Sequence, residues 1–148
     1  MLGAVVDPRA APQLAHHYGR IGRGRRADLG DQFFRSMWEA NWARYLRFLV
    51  EHGAIRSWAY EPRRFEFVAI RYGTRSYTPD FEVVETNGDL VYEEVKGHLT
   101  AKSAVQLKRM ARYYPDVRLR IITAKEYYAV AHKVAAMIPG WERQGKTE

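Results

Sequence analysis

Apolar positions follow two periods along this chain. Between residues 31 and 52 they recur at helical spacing, with Phe34, Trp38, Trp42, Tyr45, Leu46 and Leu49 on one face of a helical wheel. Gly53 follows His52, where a C-terminal cap is expected. The period then shortens to that of strands. Residues 55–60 are predicted as a strand stopped by Glu61 and Pro62, and residues 65–72 as a second that turns at Gly73 and Thr74. Residues 76–85 and 90–96 read as a hairpin joined around Asn87 and Gly88. Helical spacing returns over about 100–114, with Ala104, Leu107, Met110, Ala111 and Tyr114 expected inside and Pro115 ending the run. Residues 117–122 read as another strand. Thr123 and Glu126 form a capping box ahead of a helix to about Ile138, stopped by Pro139 and Gly140. This order predicts an α/β fold, a mixed central β-sheet flanked by helices, with residues 31–148 as a single domain.

Residues 1–30 lack such periodicity. Arg9, Arg20, Arg23, Arg25 and Arg26 outnumber Asp7 and Asp28 there, and glycines separate several of them. Two readings stay open: a solvated, flexible basic tail, or an arginine–glycine arm lying along a nucleic-acid backbone through Arg20, Arg23, Arg25 and Arg26.

Composition narrows the classes. Of the 148 residues 47% are hydrophobic and 28% charged, a profile that sustains an ordinary core. The absence of cysteine excludes disulfides and thiolate zinc sites and fits a reducing cytoplasm. No apolar run approaches the roughly 18 residues that a membrane helix needs, and the N-terminus does not read as a signal peptide. The expectation is a soluble, cytoplasmic protein with no membrane partner. Lys and Arg number 24 against 17 Asp and Glu, a net +7 that favours polyanions.

The candidate chemistry lies on the hairpin. Asp80 follows Pro79, and Glu94-Val95-Lys96 occupies the partner strand. Glu94 and Lys96 are two apart, so both side chains leave one face about 6.5–7 Å apart. Two carboxylates and an ammonium suit a divalent cation set against a phosphate, since Mg²⁺ prefers oxygen ligands and takes one or two carboxylates. Whether Asp80 joins them depends on the turn. A two-residue loop at Asn87-Gly88 pairs Asp80 with Val95 and sends it to the wrong face. A three-residue loop, Thr86-Asn87-Gly88, pairs Glu85 with Asp89, sets Asp80 opposite Glu94 and requires Gly88 at positive φ. The second register is the one predicted. Glu82, Glu85 and Glu93 are expected to be solvated. Glu39 is a further candidate beside the apolar helical stripe. Ser36 to Glu39 also reads as a capping box, and Asp31 could equally be the cap, leaving Glu39 free.

Pro79-Asp80 with Glu94-Val95-Lys96, together with the predicted αβββαβ order, resembles the PD-(D/E)xK, or restriction-endonuclease-like, nuclease superfamily. The segment around Trp38-Glu39-Ala40 looks like its first helix. Glu61-Pro62, the run 77–81 and the run 93–97 look like a phage endonuclease branch similar to archaeal-type Holliday junction resolvases. The resemblance covers about residues 33–125. It implies a restriction-endonuclease-like αβββαβ core and Mg²⁺ or Mn²⁺ held by Asp80, Glu94 and the Val95 carbonyl, with Glu39 completing the site. It implies that Lys96 acts on the water, and that the products carry 5′-phosphate and 3′-hydroxyl ends. It also implies a homodimer that nicks opposing strands of branched DNA, the four-way junction, in a host-cell cytoplasm if phage-encoded. Tyr77 departs from the pattern. It stands three residues before Asp80, where the archaeal resolvases often carry serine, and no role is carried over to it.

On the helix after the motif, Lys102, Lys108, Arg109 and Arg112 are either a solvated face or phosphate contacts, with Gln106 and Lys108 nearest the scissile strand. The leading expectation is a Mg²⁺-dependent, structure-selective endodeoxyribonuclease acting in recombination and repair. A duplex-cutting endonuclease of the same superfamily and a non-catalytic nucleic-acid-binding module are the alternatives.

Overall fold

A computed structural model describes residues 22–143. Arg20, and the arm before residue 22, lie outside the described residues. The fold is mixed α/β and divides into two compact units: one takes the described residues up to Phe48 and from Tyr127 onward, the other is Leu49–Glu126.

In the first unit, strands β1 (Gly24–Arg26) and β2 (Gln32–Phe34) pair antiparallel around a 3₁₀ turn, Ala27–Leu29. The expected arm is therefore corrected over residues 22–30, which are folded. Helix α1 is Met37–Glu51, shorter than the predicted 31–52, because the first aromatics of the apolar run belong to β2. Asp31 does not cap the helix; it sits in the β1–β2 connection with φ 60°. Ser36 is the cap: its Oγ accepts from the Glu39 N–H at 3.1 Å. Helix α3 (Ala124–Val134) opens on the predicted Thr123–Glu126 box, with the Thr123 N–H donating to Glu126 Oε2 at 3.0 Å. It ends earlier than expected, in a 3₁₀ turn at Ala135–Met137.

The charged interior of this unit was not foreseen. Arg26 and Arg44 are 2% and 0% exposed, so each guanidinium must find acids. Arg44 donates through Nε and Nη2 to Asp28 at 2.8 and 3.0 Å, and through Nη1 to Glu142 at 2.6 Å. Arg26 Nε donates to the same Glu142 at 2.7 Å. Burial pushes the Asp28 carboxyl up, but the Arg44 hydrogen bonds and charge outweigh this and hold it below the usual carboxylate range. Trp38, Tyr127 and Trp141 stack alongside, with 4.3 Å between the first two rings and 5.9 Å between the last two.

The second unit holds the main sheet. Its strands are β3 (Ser57–Tyr60), β6 (Phe81–Val84), β7 (Leu90–Val95) and β8 (Leu119–Ile122), hydrogen-bonded in that order. The first three run antiparallel, and β8 joins β7 in parallel after helix α2 (Ala101–Tyr113). A parallel partner requires such a crossover, since no tight turn can reverse the chain twice. Strands β4 (Phe65–Glu66) and β5 (Ser76–Tyr77) form a separate short ribbon. The predicted strand 65–72 thus stops at Glu66, and the predicted strand 76–85 breaks at Thr78-Pro79-Asp80. Phe65, Phe67, Tyr77, Tyr92 and Met110 form the core cluster. Helix α2 turns Ser103 and Met110 inward, while Ala104 and Ala111 are exposed, contrary to the expected wheel.

Candidate active site

The hairpin register is the one the turn demanded. The Glu85 N–H donates to the Asp89 carbonyl at 2.8 Å, Gly88 N–H to Glu85 at 2.9 Å, and Gly88 has φ 93°. Phe81 pairs with Glu93, so the next position outward sets Asp80 opposite Glu94. Pairs alternate along an antiparallel ladder. With 85/89 hydrogen-bonded, 80/94 falls in the non-hydrogen-bonded class, where opposed side chains approach most closely.

One step further, Val95 would meet Pro79, which has no N–H to give. Strand β6 begins only after it, at Phe81, and the Val95 N–H instead donates to Asp80 Oδ2 at 2.8 Å. Pro79 also leaves the Val95 carbonyl without a ladder donor from that side. The Asp80 carbonyl accepts from the Glu61 N–H at 2.7 Å, and Glu61 holds a left-handed φ of 46°. A non-glycine residue in that region is costly, so surrounding structure must fix it.

Asp80 and Glu94 are 2% and 6% exposed. Two buried like charges on adjacent strands need compensation. Lys96 supplies one charge, with its Nζ at 3.2 Å from Glu94 Oε1. Tyr77 supplies a donor: its hydroxyl gives a 2.8 Å hydrogen bond to Glu94 Oε2. Burial, then the Glu94 charge and hydrogen bond, then the Asp80 charge, drive the Tyr77 pKa far up, so the phenol stays a donor. Tyr77 is the site residue that sequence reading passed over. Its alternation with Pro79 and Phe81 gave no hint, because β5 and β6 are separate strands. Two carboxylates and a carbonyl are oxygen donors of the kind a hard divalent cation takes. Among the described residues no group of three or more His, Asp or Glu forms a ready cage.

The other expected residues divide. Glu39 stands in the first unit, 5% exposed, where its Oε2 accepts the Arg35 N–H at 2.9 Å and its own N–H completes the cap. The capping reading is thus realised. Arg26 is corrected as a DNA contact, because it is buried against Glu142. Arg25 is exposed near Asp31, and Arg23 lies over the Phe33 ring at 5.5 Å. Gln106 Nε2 donates to the Ser76 carbonyl at 3.2 Å and so holds β5. Lys102, Lys108 and Arg112 are exposed on α2, and Arg109 Nη1 is buried without a hydrogen-bond partner among the described residues. Glu93, expected in solvent, is 3% exposed and accepts from Arg120 at 2.7 Å.

No helix of the described residues is long and apolar enough to cross a membrane. Neither the curated proteins nor the solved structures hold a match to the chain. One family model does match, over residues 23–129, and by it the chain belongs to DUF1064, described as a protein of unknown function.

Proposed function

We propose that this chain is a metal-dependent DNA endonuclease of the PD-(D/E)xK kind, acting on branched DNA such as a four-way junction. The observation that carries the reading is the opposition of Asp80 and Glu94, both buried, with Lys96 at 3.2 Å from Glu94. The succession of α1, the antiparallel β3, β6 and β7, α2 and the parallel β8 supports it.

Asp80, Glu94 and the Val95 carbonyl would hold Mg²⁺ or Mn²⁺. Such an ion supplies an acidified water and offsets charge on the phosphate. The chain's own residues do the rest. The Val95 N–H fixes one Asp80 oxygen and so aims the other. Tyr77 fixes Glu94 from the core side. Lys96, partly exposed beside Glu94, is placed to orient a water and to meet charge developing on a phosphate oxygen. Hydrolysis that breaks the bond to the 3′ oxygen leaves 3′-hydroxyl and 5′-phosphate ends. Exposed Lys102, Lys108 and Arg112 give a backbone-binding face. Symmetric nicking of a junction calls for two copies, hence a homodimer.

The test compares a labelled four-way junction with a linear duplex of matching sequence, with Mg²⁺ and with EDTA, for the natural chain and for Asp80→Asn. Paired, metal-dependent nicks in the junction, absent in Asp80→Asn, are expected. Equal cutting of linear duplex would give the duplex endonuclease instead. Binding without cutting under any metal would remove the enzymatic reading.

A further inference from the structure

We infer that the loop between β4 and β5 is a base-stacking wedge, which takes an unstacked base of the nucleic acid held at the candidate site. This deepens the proposed function and rests on its nucleic-acid reading. Val68 is 91% exposed and Tyr72 87%, the two most exposed large apolar side chains among the described residues. Side chains of this kind in full solvent are unfavourable by burial arithmetic, and a pair within five residues is a patch rather than scatter.

Their exposure is not that of a loose segment. The Phe67 N–H donates to the Arg75 carbonyl at 2.8 Å, and the Ile70 N–H to the Phe67 carbonyl at 2.9 Å. Ile70, between the two, packs on the core cluster. Below the loop, the paired residues Glu66 and Ser76 are both clamped from the α2 side: Tyr114 Oη donates to the Glu66 carbonyl at 2.6 Å and Gln106 to the Ser76 carbonyl at 3.2 Å. The tip is therefore anchored while Val68 and Tyr72 project from it.

Charge selects the occupant. Arg71 and Arg75 flank Tyr72, are exposed, and have no ion-pair partner among the described residues. An aromatic ring between unpaired guanidinium groups suits a base flanked by phosphates. Stacking is sequence-tolerant, because every base has a π-face. The same ribbon leads to the site. Tyr72 stands five positions before Tyr77, which holds Glu94. Five extended residues span at most about 17 Å, so the wedge and the carboxylates fall within a few nucleotides of one strand.

The test uses the full chain carrying Asp80→Asn, in EDTA, so that binding alone is read. Probes are a labelled four-way junction, a linear duplex, and a single strand with 2-aminopurine. Adding Val68→Ser with Tyr72→Ala should weaken single-strand and junction binding about tenfold or more. Duplex binding should change by less than about twofold, and Tyr72→Trp should retain the parent affinity. The parent should alter 2-aminopurine fluorescence by stacking, and the double variant should not. Equal weakening on linear duplex would reduce the loop to a plain backbone contact and overturn the proposal. Unchanged binding to all three would also overturn it and assign the patch to a protein partner. Because no cleavage is measured, these outcomes are separate from the fate of the nuclease reading.

Discussion

Tyr77 shows how a single hydroxyl can govern an acidic pair. Burial beside Glu94 and Asp80 pushes its pKa far up, so the phenol keeps its proton and donates to Glu94. Tyr77→Phe removes that donor from Glu94. The expected cost is about 1.5–3 kcal/mol, the value of a hydrogen bond to a charged group. Metal affinity should fall about 10- to 100-fold, as for other residues that orient ligands. Urea unfolding and metal titration read the two effects, and a variant matching the parent in both would show Tyr77 to be ordinary core. Asp80 and Glu94 were legible because Gly88 dictates the turn and the turn dictates the register. Tyr77 was not, because its importance lies in a contact between strands that the chain does not pair. Glu39 was legible only as an alternative, since the same Ser36-to-Glu39 spacing serves a cap and a free carboxylate equally well.

At the level of elements, the β6–β7 turn controls the site from a distance. Gly88 stands at φ 93°, where an L side chain is strained, and a Cβ there would come within 3.4 Å of the Arg56 guanidinium. Gly88→Val should destabilise the protein by about 1–2 kcal/mol, read by urea unfolding. It should lower cleavage only as far as the strands lose register. A variant as stable as the parent would mean that the turn adapts and does not set the pairing. Helix α1 ends as the sequence suggested: Gly53 has φ 70°, and Ala54 and Gly53 donate to Leu49 and Val50. Its start lies later than the spacing predicts because Phe33 and Phe34 continue the helical apolar spacing while lying in β2. The strand predicted over 65–72 failed for a related reason. Its alternation is genuine through Phe67, but Val68 and Tyr72 face outward and Ile70 turns back to the core.

On the scale of the molecule, the buried ion cluster is the least legible feature and the one with the largest expected cost. Arg26 and Glu142 lie 116 positions apart, and Arg44 and Glu142 lie 98 apart. No periodicity links such positions, and each alone reads as surface charge. Asp28→Asn strands part of the Arg44 charge in the interior and should cost about 3–5 kcal/mol. The Asp28 carboxyl is depressed in the folded state, so its contribution is complete above the unfolded value near pH 4. It is lost as pH falls through the lower folded value. Stability against pH should therefore decline on the acid side, and Asp28→Asn should flatten that limb. An unaltered acid limb would place the acid sensitivity elsewhere. The mixed sheet, by contrast, was legible in outline, because β7, α2 and β8 keep distinct apolar periods.

Glu142 pairs with two interior arginines, Arg26 and Arg44. Leu49–Glu126 is contiguous and can consolidate by itself, whereas the other unit is assembled from two separated stretches and needs the one that carries Glu142. A released chain truncated just before Glu142 should therefore present a protease with a resistant middle and a susceptible beginning, and the full chain should resist in both.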